Sequence, residues 1–201
     1  QLDAMSAFNS VLATFAVTNT NDSGAGSLRA AIAAAENNNN GGTTKDIIDL
    51  SAIAGQTINL SNSLPTLSEQ VEIQGSDVTI DGQGQFGIFV VDNSDSRNDQ
   101  VILSDLTLRN GLAQGGTGTN GGGGGLGAGG AIFLNDGTVV VNDVEFSGNR
   151  AAGGNATGNG GNGGSSGNRG GSGGDGGRLN DNNDFFPFGR EAAPGGSGGD
   201  N

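Results

Sequence analysis

One stretch of the chain occurs twice, and this repeat limits the folds open to the sequence more than any other feature. VILSDLTLRNGLAQGG at 101–116 aligns without a gap with VVVNDVEFSGNRAAGG at 139–154, at an offset of 38 residues. A looser copy, VEIQGSDVTIDGQG, occupies 71–84. Self-similarity of this kind is typical of solenoids, in which each repeat buries its apolar face against its neighbours. The repeat therefore predicts strands that stack one repeat upon the next.

Short strands separated by turns account for the pattern from residue 46 onwards. Segments such as TINL, IFVV and TVVVNDVEF are separated by turns rich in Gly, Asn and Asp. One helix is predicted, at 27–36, with Ser27 as its N-cap and Leu28 and Ile32 on its apolar face. Strands without crossover helices suit a sandwich, a barrel or a solenoid, and the repeat favours the solenoid. The side chains predicted to face inward are Ile80, Val101, Leu103, Leu106, Leu108, Val139, Val141, Val144 and Phe146.

Glycine-rich tracts interrupt this strand pattern. The chain has 42 Gly in 201 residues, many of them at 111–128 and in 153–201. By composition alone, such tracts are typical of flexible linkers. We nevertheless expect partial order at 115–128, because this tract must return the chain to the next strand. For 153–201, order and disorder both stay open.

These features divide the chain into four parts. Residues 1–15 are an N-terminal segment, and 16–45 hold a strand and the capping helix. The stacked strands occupy 46–152, with a glycine-rich excursion at 111–128. A second excursion at 153–201 contains a cluster of Phe residues, and we expect it to lead into further coils because it resembles the first.

Charge and composition exclude several classes of protein. Eight basic and 21 acidic residues give a net charge of −13, which argues against nucleic acid or an anionic membrane surface as a partner. No segment approaches the roughly 20 apolar residues of a membrane-spanning helix. The chain lacks Cys, and it starts at Gln1 without the basic region of a signal peptide. We interpret it as a processed protein or a piece of a longer one, located outside the cell or on its outer surface.

Three stretches resemble bacterial surface proteins with a β-helix. VTNTNDSGAGSLRAAI at 17–32 is similar to their opening, a strand, an Asp-Ser-Gly turn and a Ser-Leu-Arg helix, although Gly26 and Ala30 replace the Cys and Glu of one form. GGAIF at 129–133 and FSGN at 146–149 resemble the repeats of chlamydial polymorphic outer-membrane proteins. The glycine-rich corners resemble those of large cyanobacterial and other marine surface proteins.

The resemblance covers residues 16–154 and implies a specific fold. That fold is all-β: a right-handed parallel β-helix of the pectin-lyase-like type, a solenoid with a short N-terminal capping α-helix and glycine-rich corner excursions. In such a fold Phe146 would fill the interior. Asn149 would stack on equivalent Asn residues and bond backbone groups at the bend.

Residue types argue against an enzyme within these residues, although the fold class includes lyases, hydrolases and epimerases that act on polysaccharides. TIDGQG at 79–84 is similar to a phrase of pectin hydrolases, but Asp81-Gly82 is the usual chemistry of a turn. Those hydrolases also carry a His motif and paired aspartates, and the related epimerases use Tyr and His. The chain has no His, no Tyr and no adjacent Asp pair.

Two clusters remain as candidate binding sites. Asp92, Asp95 and Asp99 supply the hard oxygen ligands that calcium prefers, which makes calcium the one cofactor candidate; solvated turn carboxylates are the alternative. Phe185, Phe186 and Phe188 form an aromatic cluster within a glycine-rich tract. This cluster is either a local anchor for the tract or a partner-binding knob.

Two functions stay open. The first is a structural or adhesive β-helix protein of the cell surface or the extracellular space, which binds glycan, neighbouring copies or another protein complex. The second is the N-terminal part of a secreted polysaccharide-active lyase, hydrolase or epimerase whose catalytic coils lie outside this sequence. The residue types favour the first.

Overall fold

The fold consists of parallel β-sheets and one α-helix. A computed structural model describes residues 12–38, 45–93, 100–119 and 122–157. The elements, in chain order, are β1 (Thr14–Ala16), α1 (Leu28–Glu36), β2 (Asp46–Asp49), β3 (Thr57–Asn59), β4 (Val71–Asp81), β5 (Phe89–Asp92), β6 (Gln100–Arg109), β7 (Leu112–Gln114), β8 (Ile132–Asp136), β9 (Thr138–Ser147) and β10 (Arg150–Ala152).

The chain divides into two compact units, and the first contains most of the strands. Unit 1 comprises residues up to Gly111 together with Ala131–Asn149. Its main sheet has the order β1-β2-β4-β6-β9, with β3 also paired to β4, and β5 pairs with β8 in a second sheet. All of these pairs are parallel, which confirms the all-β class and the parallel pairing that the repeat predicts.

Apolar side chains stack in register across the main sheet. Ile48 pairs with Ile73, Ile73 with Leu103 and Leu103 with Val141. Because successive residues of a strand point to opposite faces, a slip of one residue would turn the apolar side chains of that strand to the other side. The first three are fully buried. The repeat in the sequence thus corresponds to this stacking of side chains.

Strands β6 and β9 each bend at a corner, and an aspartate occupies that corner in both strands. Asp105 and Asp143 occupy equivalent positions of the repeat and have φ of 56° and 51°. Asp visits this left-handed region more readily than most residues. The register continues on both sides of the corner, with Leu103 paired to Val141 and Leu106 to Val144. A shared left-handed residue therefore bends both strands at the same place.

The inward side chains of β9 are less buried than those of β4 and β6. The predicted inward residues of β4 and β6 are buried: Ile80, Val101, Leu103, Leu106 and Leu108. In β9, however, Val141 is 47% and Phe146 is 49% exposed, so these two inward positions are not buried as their partners in β6 are, and Phe146 does not fill the interior as the resemblance implies. Both keep their register with β6, but β9 ends the order of the sheet among the described residues.

Helix α1 packs against β1 and β2, at the opposite end of the main sheet from β9. Ser27 is its N-cap: its Oγ accepts a hydrogen bond from Ala30 N at 3.2 Å. The buried face consists of Leu28, Ala31, Ile32 and Ala35. The helix predicted at 27–36, with its cap and its apolar face, is confirmed.

Two charged side chains attach α1 to loops of unit 1. Arg29 Nη2 lies 2.8 Å from Asp22 Oδ1, and Arg29 donates further hydrogen bonds to the carbonyl oxygens of Asn62 and Ser63. At the other end of the helix, the carboxylate of Glu36 accepts from the backbone N–H and the hydroxyl of Ser68. The Ser-Leu-Arg sequence thus supplies a cap, a buried side chain and a tether, in that order.

Unit 2 is built by close packing of glycine backbone. Its described residues are Leu112–Gly130, apart from 120–121, and 150–157. Strands β7 and β10 pair in parallel, and Gly115 N donates to Ala152 O at 2.8 Å. A third segment bonds to both: Gly125 N donates to Gly116 O at 2.7 Å, and Gly154 N donates to Gly125 O at 2.8 Å. The described residues of 112–130 and 150–157 therefore form a bundle of three hydrogen-bonded segments.

The bundle leaves no room for side chains at its contacts. A Cβ added to Gly124 would overlap the carbonyl of Gly154, and one added to Gly154 would overlap the carbonyl of Gly116. Gly127 meets the carbonyls of Ala113 and Ala152 in the same way. Glycine is needed here for the approach of one backbone to another.

We predict that Leu28→Ala lowers the free energy of unfolding by about 2–5 kcal/mol, because it opens a cavity under the helix. Leu28→Asp should cost more, since it places a charge in the same contact. Leu12→Asp, at a side chain that is 55% exposed, is the matched control and should stay within about 0.5 kcal/mol of the parent. Thermal and chemical denaturation measure all three, and an unchanged Leu28→Asp protein would contradict the packing of α1.

Two adjacent glycines provide a test of the bundle in unit 2. Gly154→Ala should destabilise it by about 1–3 kcal/mol, because the methyl group overlaps a backbone carbonyl. Gly153→Ala is the control: its added Cβ would meet only Gly125 O, at 3.8 Å. Hydrogen exchange of the amides in 112–130 and 150–157 should accelerate in the first variant and not in the second. Equal exchange in both variants would show that the segments do not pack as described.

Candidate functional site

A group of hydrogen-bonded polar side chains in unit 1 surrounds Asp81, at the end of β4. Asp81 Oδ1 accepts from Gln83 N at 2.8 Å, and Oδ2 accepts from Arg109 Nε at 2.7 Å. Asn110 Nδ2 donates to both oxygens at 3.1 Å. A second bond joins Gln83 Nε2 to Asn59 Oδ1 at 2.8 Å. The cluster links the turn after β4 to the ends of β3 and β6.

The charge of Asp81 is stabilised by its neighbours. Burial raises the pKa of this carboxyl, but the hydrogen bonds from Gln83, Arg109 and Asn110 and the charge of Arg109 outweigh burial. The pKa of Asp81 therefore lies below its usual range. The side chain is 5% exposed, whereas that of Arg109 is 44% exposed. The carboxylate is thus a buried acceptor for groups of its own chain.

This geometry supports the reading of TIDGQG as a turn. The bond from Gln83 N to the side chain two residues earlier is the pattern of an Asx turn. At Gly82, an added Cβ would lie 2.7 Å from Gly111 Cα and 2.8 Å from Asn110 O. Both oxygens of Asp81 already accept two hydrogen bonds, and the backbone beside it is closely packed. The arrangement suits a corner of the fold and not an acid–base catalyst.

The predicted calcium ligands are only partly described. Asp92 ends β5, and its Oδ1 accepts from Asn135 Nδ2 at 3.1 Å. Asp95 and Asp99 lie outside the described residues, so their relation to Asp92 stays a prediction. Within the described ranges, no group of three or more acidic, His or Cys side chains is placed to hold a metal ion. The aromatic cluster of Phe185, Phe186 and Phe188 also lies outside the described residues.

The predicted role of Asn149 holds in one respect and fails in another. Its Oδ1 accepts from Gly111 N at 2.7 Å, and its Nδ2 donates to Leu108 O at 2.8 Å. The side chain thus satisfies backbone groups at the bend, as the sequence predicts. It does not stack on an equivalent Asn, because the residue one repeat earlier is Gly111. The side-chain amide of Asn149 instead contacts backbone groups of the neighbouring repeat.

Exposed apolar side chains on β8 and β9 form the surface best suited to a partner. We use the name open edge for strands β8 and β9 together with the side chains of Leu134, Val141 and Phe146. These three side chains are 47%, 47% and 49% exposed. Apart from them, the large hydrophobic side chains exposed in the described part of the chain are Leu12 and Leu126.

No family model, no curated protein and no solved structure matches the chain in comparisons with known proteins. Among the described residues, no helix has the length and apolar character needed to span a membrane. Function is therefore inferred from the sequence and the structure of the chain itself.

A pH-dependent contribution to stability is predicted for Asp81. Because its pKa in the folded protein lies below the unfolded value of about 3.9, it stabilises the fold above that pH. The contribution is lost as the pH falls through the folded pKa. Asp81→Asn should therefore lower the free energy of unfolding by about 1–3 kcal/mol at pH 7, and the deficit should shrink below about pH 4.

Chemical denaturation across this pH range measures the effect. Asp77→Asn is the matched control, because Asp77 is an exposed residue at the register shift within β4, with a φ of 59° that Asn also tolerates. A deficit of Asp81→Asn that does not change with pH would mean that the charge of the carboxylate is unimportant.

Proposed function

We propose that the chain is a structural or adhesive protein of the cell surface or the extracellular space. It is a right-handed parallel β-helix that binds glycan, neighbouring copies or another protein complex. The observation that supports this proposal best is the parallel register of β2, β4, β6 and β9, in which each repeat extends the same sheet. A structure in which successive repeats extend one sheet is suited to display binding surfaces on a rigid body.

The order of strand pairing supports the β-helix. In the main sheet β2 pairs with β4, β4 with β6 and β6 with β9. Strand β5, which lies between β4 and β6 in the chain, pairs with β8 in a second sheet. A chain that winds around an axis places strands of successive repeats side by side and parallel, without helices between them. The right-handed sense comes from the resemblance of 16–154 to surface β-helix proteins.

The ionised side chains of the described residues support a role without catalysis. Lys45 is the single Lys of the chain, and its Nζ lies 2.5 Å from Glu72 Oε2. The hydrogen bond and charge of Lys45 lower the pKa of the Glu72 carboxyl. The amine of Lys45 is thus held by a carboxylate of its own chain. Two other ion pairs lie in the described part of the chain, Asp22 with Arg29 and Asp81 with Arg109, and both join loops to neighbouring elements.

Binding without turnover is the expected result of a direct test. The purified chain is incubated with a panel of polysaccharides, including polyuronates, with and without calcium. Co-sedimentation or surface plasmon resonance reports binding, size analysis of the polymer reports cleavage, and proton NMR of the polymer reports epimerisation. We expect the polymers to stay intact, and binding of a glycan would identify the adhesive partner.

Cleavage or epimerisation of any polyuronate would overturn the proposal in favour of a polysaccharide-active enzyme. Lys45→Met is the informative variant in that case, because it removes the single amine side chain that could accept a proton. A dependence on calcium would in turn support the predicted site at Asp92, and Asp92→Asn tests that site directly.

A further inference from the structure

We propose that the link between Asp136 and Gly137 is a site of spontaneous covalent modification, at which the aspartate rearranges to isoaspartate in the folded protein. A second part of the proposal is that Asn110-Gly111, the more reactive pair by residue type, stays intact as long as the protein is folded. The rearrangement requires no enzyme and no partner, so the inference is independent of the proposed function.

The reaction is an attack of the backbone on the preceding side chain. The nitrogen of Gly137 bonds to Cγ of Asp136 and closes a five-membered succinimide ring. The bond from Cγ to one carboxyl oxygen breaks, and that oxygen leaves as water with the amide proton and a proton from the carboxyl group or the solvent. Water then opens the ring. Hydrolysis at Cγ restores aspartate, whereas hydrolysis at the main-chain carbonyl leaves the glycine bonded to Cγ, which is isoaspartate.

Glycine favours this reaction because it adds no side chain beside the attacking nitrogen. The described part of the chain contains three such pairs, Asp81-Gly82, Asn110-Gly111 and Asp136-Gly137. By residue type the asparagine is the most reactive, because its amide is neutral and loses ammonia, whereas the charge of a carboxylate resists attack. The structure separates the pairs by the group to which each glycine N–H donates.

Hydrogen bonds hold the reacting atoms of Asn110-Gly111 apart. Gly111 is buried, and its N–H donates to Asn149 Oδ1 at 2.7 Å. The side-chain amide of Asn110 donates to both oxygens of Asp81 at 3.1 Å. The nitrogen that would attack and the group that it would attack are therefore bound to different partners, and both sets of bonds must break before they meet.

The Asp81-Gly82 pair is protected in the same way. Gly82 N donates to Arg109 O at 2.9 Å, in the neighbouring strand. The carboxylate of Asp81 is buried and accepts from Gln83 and Arg109. Ring closure would therefore break pairing between two repeats.

The Asp136-Gly137 pair has the opposite arrangement. Both residues are exposed, and Gly137 N donates to Asp136 Oδ1 at 2.7 Å. The carboxyl carbon is one bond away from that oxygen, so the attacking nitrogen lies beside the carbon with which it reacts. Holding two reacting groups together in this way raises the rate of reaction between them.

The packing of the corner requires the glycine that makes this pair reactive. Gly137 has a φ of 98°, a region that residues with a side chain rarely adopt. A Cβ added to it would lie 2.8 Å from Asn93 Cβ. The unhindered nitrogen at this position is thus a consequence of the turn from β8 to β9.

Isoaspartate would change the main chain where the two sheets are joined. Asp136 ends β8, where it pairs with Asp92, and its carbonyl oxygen accepts from Asn93 N at 3.2 Å. Strand β9 begins two residues later at Thr138, which pairs with Gln100. In isoaspartate that carbonyl becomes a side-chain carboxylate, and the main chain gains a methylene group. The modification therefore removes a bond between β5 and β8 and lengthens the link to β9.

Incubation of the 201-residue chain at neutral pH, folded and in guanidinium chloride, tests the proposal. Chymotrypsin cleaves after Leu134 and Phe146 and releases the peptide 135–146, in which electron-transfer fragmentation distinguishes isoaspartate from aspartate. A sample digested without incubation corrects for changes during digestion. In the folded protein we expect isoaspartate at Asp136 to accumulate while Asn110 keeps its amide.

In guanidinium chloride the order should reverse. Deamidation of Asn110 should then be about tenfold or more faster than in the folded protein, because the hydrogen bonds that hold Asn110 and Gly111 are lost. The mass of the peptide reports it, since deamidation replaces nitrogen by oxygen. The comparison uses the parent chain and does not depend on the folding of any variant.

Substitutions test the two parts of the proposal separately. Asp136→Glu keeps the charge but would have to close a six-membered ring, so rearrangement at this position should stop. Asn149→Ala frees the N–H of Gly111, and deamidation of Asn110 in the folded protein should rise by about tenfold. Asn142→Ala is the matched control, an exposed asparagine of the same repeat, and should leave the rate at Asn110 unchanged. Circular dichroism and the melting temperature establish that the variants fold.

Two results would contradict the inference. Isoaspartate at Asp136 that forms in guanidinium chloride and not in the folded protein would mean that the corner keeps the nitrogen of Gly137 away from the carboxyl carbon. Deamidation of Asn110 that outpaces the change at Asp136 in the folded protein would mean that Asn149 and Asp81 do not protect the pair. Neither result bears on the polysaccharide assays, which test the proposed function.

Discussion

The stacking of apolar side chains in one parallel register is the interaction on which unit 1 depends. Ile48, Ile73, Leu103 and Val141 pair in sequence across four strands. A slip of one residue in any strand would turn its apolar residues out of this row. The corner must therefore occur at the same repeat position in neighbouring strands, and Asp105 and Asp143 have the same left-handed backbone there. Side-chain stacking thus determines both where the strands lie and where they bend.

A stack of this kind has two ends, and each end must satisfy the edge of its last strand. At one end, α1 covers the core with Leu28 and Ile32, and the side chains of Arg29 and Glu36 attach the helix to nearby loops. At the other end, β9 keeps the register of the repeat while Val141 and Phe146 remain about half exposed. The described surface that most resembles a binding site is therefore a consequence of how the core is built.

The sequence predicted what depends on local pattern and missed what depends on neighbours. Helix α1 and its Ser27 cap followed from capping chemistry and apolar spacing, and the pairing of β6 with β9 followed from the repeat. The exposure of Phe146 could not be predicted, because it depends on which strand follows β9 in space. The bonds of Arg29 to Asn62 and Ser63 join residues more than 30 positions apart, and no local pattern indicates them.

The glycine-rich tract at 112–130 shows a second way to use the same repeat. In unit 1 the residues at an offset of 38 pair through filled side-chain rows, as Val101 does with Val139. In unit 2 the same offset pairs Leu112 with Arg150, but the third segment approaches so closely that backbone takes the place of side chains. Glycine loses more conformational freedom on folding than any other residue, so order in such a tract requires many backbone contacts. Each of the three segments hydrogen-bonds to the other two, which supplies those contacts. Composition alone therefore underestimates order wherever a glycine-rich tract lies beside another copy of itself.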